Sequence, residues 1–525
     1  MVERMVVLGG DAAGMTAAAQ ARRRRPAGEL EIIALERGRH LSYSACGIPY
    51  WIGGLVASSD DLLVRTAAEF RDKYAIDVRV RHEAIGIDLA AREVTVRRLD
   101  ADPRGTSTPP TGPGPGPGPS PGSGPGPGPG SGSGSGSWPG SGAGSGGSRA
   151  GGPGPGGSRS DSGAEFRLGF DQLVIATGAV PVRPPLPGID APGVYGLQTL
   201  DDGDAIQAGL DGGARRAVVV GAGYIGLEMA EALVRRGLHV TVLEAAEQPM
   251  STLDPDLGGQ VADAVRGMGI ELYTGERARA ISTGPGGAVD AVVTENRTIR
   301  ADIVVLGLGV RPNSALAGDA GLALGARGGI VTDARMRSVT DPGVWAAGDC
   351  VQTVHRVSRA PVYAPLGTHA NKQGRVVGIN LGGGYATFPG VVGTAVTKVC
   401  DLEVARTGLT AVEADRAGFR FVTATTESTT RAGYYPDAAP ITTKLLAEKR
   451  SGRLLGAQIV GREGAAKRID VLATALWNEM TVEEIAGLDL SYAPPFAPVW
   501  DPVLIAARKA WDAVEADVAA GPGPF

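Results

Sequence analysis

The chain has 525 residues, 43% of them hydrophobic, enough for two to four domains with sizeable cores. Its 51 basic residues stand against 56 acidic ones, a net charge of −5, and apart from Arg22 to Arg25 the basic residues are dispersed, which excludes a nucleic-acid footprint. No stretch reaches the about eighteen unbroken apolar residues of a membrane span, the N-terminus enters a buried-strand pattern without a charged leader, and the three cysteines lack pairing logic; a cytoplasmic protein is expected.

Met5-Val6-Val7-Leu8 reads as a buried strand, followed by the turn Gly9-Gly10-Asp11-Ala12-Ala13-Gly14 and an alanine-rich helix to about Arg25. A second strand, Glu31 to Leu35, ends in Glu36, about twenty residues past the turn, where an acid accepts hydrogen bonds from a ribose. Strand, glycine turn, helix, strand and acid predict a dinucleotide site, although Asp11 replaces the middle glycine of GxGxxG. Arg22 to Arg25 suit a helix C-terminus, and a second use for them is to hold substrate phosphates.

Next comes Ser42-Tyr43-Ser44-Ala45-Cys46-Gly47-Ile48-Pro49-Tyr50. Cys350 and Cys400 lie far off in sequence, so no CxxC or CxxxxC dithiol can be drawn, and Cys46 is read as a lone redox centre. Gly47 lets backbone approach a flat ligand, and Pro49 fits a helix's first turn. Cys46 is therefore expected at a helix N-terminus, with its thiol pKa lowered from about 8.5. The alternative is an inert buried cysteine.

Segments 77–80 and 93–96 alternate as strands. From about 103 to 163 the sequence is almost only Gly, Pro and Ser, a composition predicted to be disordered. Its flanks, 94–99 and 166–168, look like two arms of one hairpin, which makes the segment an overgrown loop. Leu173 to Ile175 then form a buried strand running into Ala176-Thr177-Gly178. The strand 217–220 leads into a full GxGxxG, Gly221-Ala222-Gly223-Tyr224-Ile225-Gly226, then a helix and the strand 239–243 ending in Glu244. The three glycines serve the turn, the approach to pyrophosphate and helix-on-sheet packing. Glu244 accepts from a free ribose 2′-OH and repels a 2′-phosphate, and Ala245-Ala246 bring no basic residue, so NADH is expected in preference to NADPH. Strand endings at Gly307-Leu308-Gly309 and at Gly348-Asp349 bring further backbone N–H groups and a carboxylate to a cofactor. Beyond Gly390 a third domain without a nucleotide signature carries Tyr434-Tyr435 and Ser491-Tyr492-Ala493-Pro494-Pro495.

Two nucleotide units, Ala176-Thr177-Gly178, Gly348-Asp349 and a third C-terminal domain together resemble the FAD-dependent pyridine nucleotide-disulfide oxidoreductases. The stretch Ser42 to Tyr50, with Pro365-Leu366, the run Ala370 to Arg375, Ala395 to Val399 and Tyr492 to Pro495, is similar to its single-cysteine branch of coenzyme A-disulfide reductases, persulfide reductases and NADH oxidases. The resemblance implies an α/β protein with an FAD-binding domain at 1–200 and 331–388, interrupted by 103–163, an NAD-binding domain at 201–330 and an α+β dimerisation domain at 389–515. FAD would be held through Gly9, Gly14, Glu36, Thr177, Gly178 and Asp349, and NADH through Gly221, Gly223, Gly226, Glu244 and Gly309; no metal is implied. A homodimer would bring Tyr435 (or Tyr434 beside it) and Tyr492 to the partner's Cys46 as acids. Gln20 and Arg23 would map to a coenzyme A channel. The histidine that peroxide- and oxygen-reducing members carry in the first glycine turn is absent from Asp11 to Gly14, which favours sulfur chemistry. The expected reaction passes electrons from NADH through FAD to coenzyme A disulfide, its persulfide or polysulfide at Cys46. The alternatives are an NADH oxidase with a sulfenic acid, or a flavoprotein carrier or redox sensor serving a protein partner.

Overall fold

Short, wholly apolar runs separated by helices rich in small residues build two parallel sheets buried on both faces, the outcome such runs favour. The computed structural model describes residues 2–99, 163–325 and 327–520. The Gly/Pro/Ser stretch 103–163 lies, except for Gly163, outside the described residues.

The first sheet has five parallel strands in the order Val344–Ala346, Gln172–Ile175, Glu3–Leu8, Leu30–Glu36, Asp77–Val80. Its register pairs Leu8 with both Leu35 and Ile175, and Ile175 with Ala346. The segments that follow, beginning at Gly9, Glu36, Ala176 and Ala347, therefore emerge side by side at one carboxyl edge, where parallel sheets bind ligands. The helix Ala12–Arg22 lies against Gly367–Leu381. Their backbones touch closely, since a Cβ on Gly374 would stand 2.3 Å from Ala13 O and one on Gly378 2.4 Å from Ala17 O.

The second sheet runs Glu271–Tyr273, His239–Leu243, Arg216–Val220, Ile303–Leu306, Val194–Tyr195, again all parallel. Val220 pairs with Leu243 and Leu306, which gathers Gly221, Glu244 and Gly307 at its own carboxyl edge. Val194–Tyr195 joins this sheet although the sequence division at 200 assigns it to the first; two residues were too short a run to register as a strand. The sheets communicate through an antiparallel pair, Ala179–Pro181 with Val310–Pro312.

The arms Glu93–Arg98 and Glu165–Gly169 pair antiparallel, with Arg97 opposite Glu165. The C-terminal region is a five-stranded antiparallel sheet, 395–399, 402–408, 454–461, 440–448 and 421–429 in spatial order. The helix Pro502–Ala519, capped by Asp501 on Val503 N–H (2.9 Å), buries Val503, Ala507, Ala510 and Val514 on that sheet. Lys444 reaches out of it to Asp254 (3.0 Å) and Asp256 (2.8 Å), and Gln458 exchanges two hydrogen bonds with Asp254, tying it to the second nucleotide region. Among the described residues no helix is long and apolar enough to cross a membrane.

Candidate active site

At the first sheet edge Gly9 adopts φ +111°, and a Cβ there would lie 2.1 Å from Ala176 O; a Cβ on Gly14 would lie 2.0 Å from Gly9 O. Only glycine allows this cradle. The Glu36 carboxylate organises the turn by accepting from Gly10 N–H (2.7 Å) and Gly38 N–H (2.6 Å), and each oxygen keeps a lone pair for a further donor. Asp11 accepts from Tyr43 N–H (3.3 Å), and Ser42 N–H donates to Gly10 O (2.9 Å), so the cysteine segment hangs from the glycine turn.

Cys46 sits in a single 3₁₀ turn, Ala45–Gly47, stacked on a short helix, Ile48–Ile52, with Pro49 in its first turn. A Cβ on Gly47 would stand 2.3 Å from Leu62 Cδ2, which explains the glycine. Cys46 is exposed, Cys400 half-buried and Cys350 buried, all free thiols. The expected lowering of the Cys46 pKa is corrected by the structure: it is raised. Protein packed around the sulfur removes solvent, and the charges of Glu228, Asp349 and Asp11 add to that effect. One short turn cannot outweigh the burial and the three carboxylates supplied by tertiary folding. Cys350 gives its thiol to Ile175 O and Ala347 O, and burial pushes it up to about 11, the signature of an inert cysteine.

Asp349 follows Gly348, whose N–H is held by the buried Gln373 side chain (2.8 Å). Its own carboxylate meets no donor among the described residues, and burial pushes it up to about 6; burial does the same to Asp11, aided by the charges of Glu36 and Asp349. Tyr363 Oη is also buried and unpartnered. Unsatisfied buried polar atoms are rare in folded proteins, so a polar ligand fits this edge. Thr177 and Gly178 lock to Asn313: Thr177 Oγ1 donates to its carbonyl (2.6 Å), its amide donates to Thr177 O (3.2 Å), and its N–H to Gly178 O (2.9 Å).

At the second edge Gly221 has φ +104° and lies where a Cβ would be 2.4 Å from Gly307 O; a Cβ on Gly226 would be 1.9 Å from Gly221 O, while Gly223 faces open space. Glu244 accepts from Ala222 N–H (2.7 Å) and Ala246 N–H (2.8 Å). Gly309, at φ +82°, leads into the inter-sheet strand. The helix Tyr224–Arg235 carries Glu228 and Glu231, which sequence reasoning missed. With Pro49, Tyr50, Arg235 and Lys398 they line a cleft beside the cysteine turn. Glu228 accepts from Thr397 Oγ1 (2.8 Å), yet burial still raises its pKa, and Glu231 accepts from Cys400 N–H (2.8 Å). A glutamate two residues past the last glycine of the motif was the available signal.

The remaining predicted residues stand elsewhere. Gln20 is bonded by Arg24 (2.9 Å), and the exposed Arg23 stands beside Tyr74, whose pKa it lowers. Arg22 and Arg25 bond backbone carbonyls around the helix end, as helix-terminal cations do. In the third domain Tyr492 stands beside Tyr434, which raises its pKa, and Tyr435 is outside that pair. Both partners are exposed.

Residues 152–371 match the family model described as pyridine nucleotide-disulphide oxidoreductase, and 394–502 match its dimerisation domain. The chain is 32% identical to an NADH oxidase of Methanocaldococcus jannaschii, over 97% of this chain and 98% of that one. It is also 32% identical to an NAD(P)H coenzyme A polysulfide/persulfide reductase of Pyrococcus horikoshii, with the same coverages. The solved NAD-dependent persulfide reductase from A. fulgidus superposes with a TM-score of 0.83 at 36% identity, over 98% of this chain and 84% of that one.

Proposed function

Because the chain belongs to the pyridine nucleotide-disulphide oxidoreductase family, we propose that it is an FAD- and NADH-dependent reductase of coenzyme A-linked disulfides, persulfides or polysulfides that works through Cys46. The observation that carries the reading is an exposed thiol hung from the first glycine turn and facing Glu228 of the second nucleotide helix, with no other cysteine beside it. Gly9, Gly14, Glu36, Thr177, Gly178 and Asp349 would hold FAD, which supplies a two-electron link between nicotinamide and sulfur when bound. Gly221, Gly223, Gly226, Glu244 and Gly309 would hold NADH.

The protein's own steps begin with loss of the Cys46 proton. The thiolate attacks a substrate S–S bond, a Cys46–substrate disulfide forms, and one thiolate leaves and takes up a proton. A hydride equivalent from NADH, two electrons and one proton, together with a second proton from solvent then restores the Cys46 thiol and frees the second thiol. Within a homodimer built by the 394–502 domain, the exposed Tyr434–Tyr492 pair of a second copy is the proposed acid for the leaving sulfur. Arg23 and Gln20 would grip a coenzyme A phosphate by exchanging Tyr74 and Arg24 for it. Burial, aided by the charges of Glu228, Asp349 and Asp11, raises the Cys46 pKa, so forming the thiolate is a step this site must assist.

An oxidase is the second reading, favoured by the Methanocaldococcus relative's name and opposed by Asp11-Ala12-Ala13-Gly14, a turn without histidine. The test is anaerobic NADH consumption with coenzyme A disulfide, coenzyme A persulfide and polysulfide, against an oxygen-only control. Turnover on a sulfur species that falls at least about a thousandfold in Cys46→Ser, with FAD retained, supports the reductase. Turnover with oxygen alone moves the protein to the oxidase.

A further inference from the structure

Tyr363 carries a hydroxyl that the fold buries and leaves without a hydrogen-bond partner among the described residues. A tyrosine in such a place is unusual, because phenylalanine would fill the same space without burying an unpaired donor. Three observations locate the hydroxyl. The hairpin Thr353–Val354 with Pro361–Val362 pairs Thr353 with Val362, so the chain doubles back and brings residue 363 beside the segment that begins with Asp349. Asp349 and the Cys350 thiol lie within electrostatic reach of the Tyr363 hydroxyl. Asp349 itself lies within electrostatic reach of Asp11 in the first glycine turn and of Cys46. The hydroxyl thus shares the carboxyl edge of the first sheet with the one carboxylate there that also meets no donor. Tyr363 is followed by Ala364, whose carbonyl is bonded by the His369 ring (3.2 Å), so the loop entering the helix Gly367–Leu381 is fixed.

Resting on the reading of this edge as the FAD site, we propose that Tyr363 is a cofactor-holding residue whose hydroxyl donates a hydrogen bond to bound FAD. The phenol supplies a neutral donor beside Asp349, and a flavin dinucleotide offers carbonyl, ring-nitrogen and hydroxyl acceptors. The same hydroxyl is a liability in the FAD-free chain, where it has nothing to bond. Its two effects therefore carry opposite signs, and a residue with a merely structural role would not show that pattern.

The experiment uses the full-length chain, wild type and Tyr363→Phe, with the exposed Tyr385→Phe as control. FAD affinity is read by titrating the FAD-free protein and following flavin fluorescence, and FAD release by heating the holoenzyme with the same probe. Melting of the FAD-free chains is followed by circular dichroism. Loss of one neutral hydrogen bond predicts FAD binding about fivefold to tenfold weaker in Tyr363→Phe, with earlier thermal release. The FAD-free variant should melt at or above the wild-type temperature, and Tyr385→Phe should match wild type throughout. Affinity within twofold of wild type overturns the proposal. So does a Tyr363→Phe chain that melts lower without FAD, which would make the tyrosine structural. If wild type itself takes up no FAD, the cofactor reading of the edge fails first, and the proposal with it.

Discussion

The two glycine turns share the first and third glycines of one pattern and part at its middle glycine, and that position separates a turn left open from one that also holds the cysteine segment. In each, the first glycine has positive φ and lies too close to a neighbouring strand end for any Cβ, and the third presses on the first glycine's carbonyl. In each, the acid at the end of the next strand accepts from the amide after the first glycine at 2.7 Å. The middle position is Gly223 in one and Asp11 in the other. Gly223 leaves open space where a phosphate can approach. Asp11 fills that place with a carboxylate that holds Tyr43 and adds charge near Cys46, so the first turn also positions the segment that carries the thiol.

The sharpest way to break the parallel is to fill the third glycine in each turn. Gly14→Ala should yield protein without FAD, whereas Gly226→Ala should keep FAD and raise the KM for NADH about a hundredfold or more. Flavin absorbance after purification and steady-state kinetics separate the two. If both variants lose FAD, the assignment of one ligand to each turn is wrong. Next in size is Glu244→Ala, which removes charge-assisted acceptance from the ribose. The KM for NADH should rise about tenfold to a hundredfold while that for NADPH stays level or falls.

A smaller effect tests the electrostatics at Cys46. Glu228→Gln removes one of the charges that raise the thiol pKa, so iodoacetamide should label Cys46 several-fold faster at pH 7.5. An unchanged labelling rate would leave Glu228 without influence on the sulfur. The smallest effect lies in the stability of the FAD-free chain. Asp11 titrates at about 6 when folded and lower when unfolded, so the native state binds more protons between those values. Its ionised form weakens the fold above pH 6, and that penalty fades as pH falls through 6 towards 4. Asp11→Asn should therefore melt higher than wild type at pH 8, with the gap closing by pH 4. The glycine at the matching place in the second turn has no such pH dependence to lose.

What the sequence made legible follows from how local each signal is. The glycine turns, their acids and the hairpin arms were readable because a turn needing positive φ, a strand ending and an alternating pattern each occupy a few consecutive residues. Val194–Tyr195, Asn313 and Tyr363 were not, because each acquires its role from a partner far along the chain. Cys46 shows the same limit from the other side. A local argument from a helix start predicts a lowered pKa, and burial, aided by carboxylates from residues 228, 349 and 11, reverses it. The tyrosines repeat the lesson at closer range, since adjacent residues differ in which one meets Tyr492, and only packing decides that it is Tyr434.

The ladder between Glu93–Arg98 and Glu165–Gly169 has a practical consequence. Because Arg97 stands opposite Glu165, whatever the chain carries between these arms leaves and re-enters at neighbouring points on one small sheet. Halving that connection changes the closure entropy by only about 0.6 kcal/mol. The position is thus a ready port for grafting: a fluorescent reporter, an affinity handle or a second enzyme could be spliced in while both nucleotide sheets keep their registers.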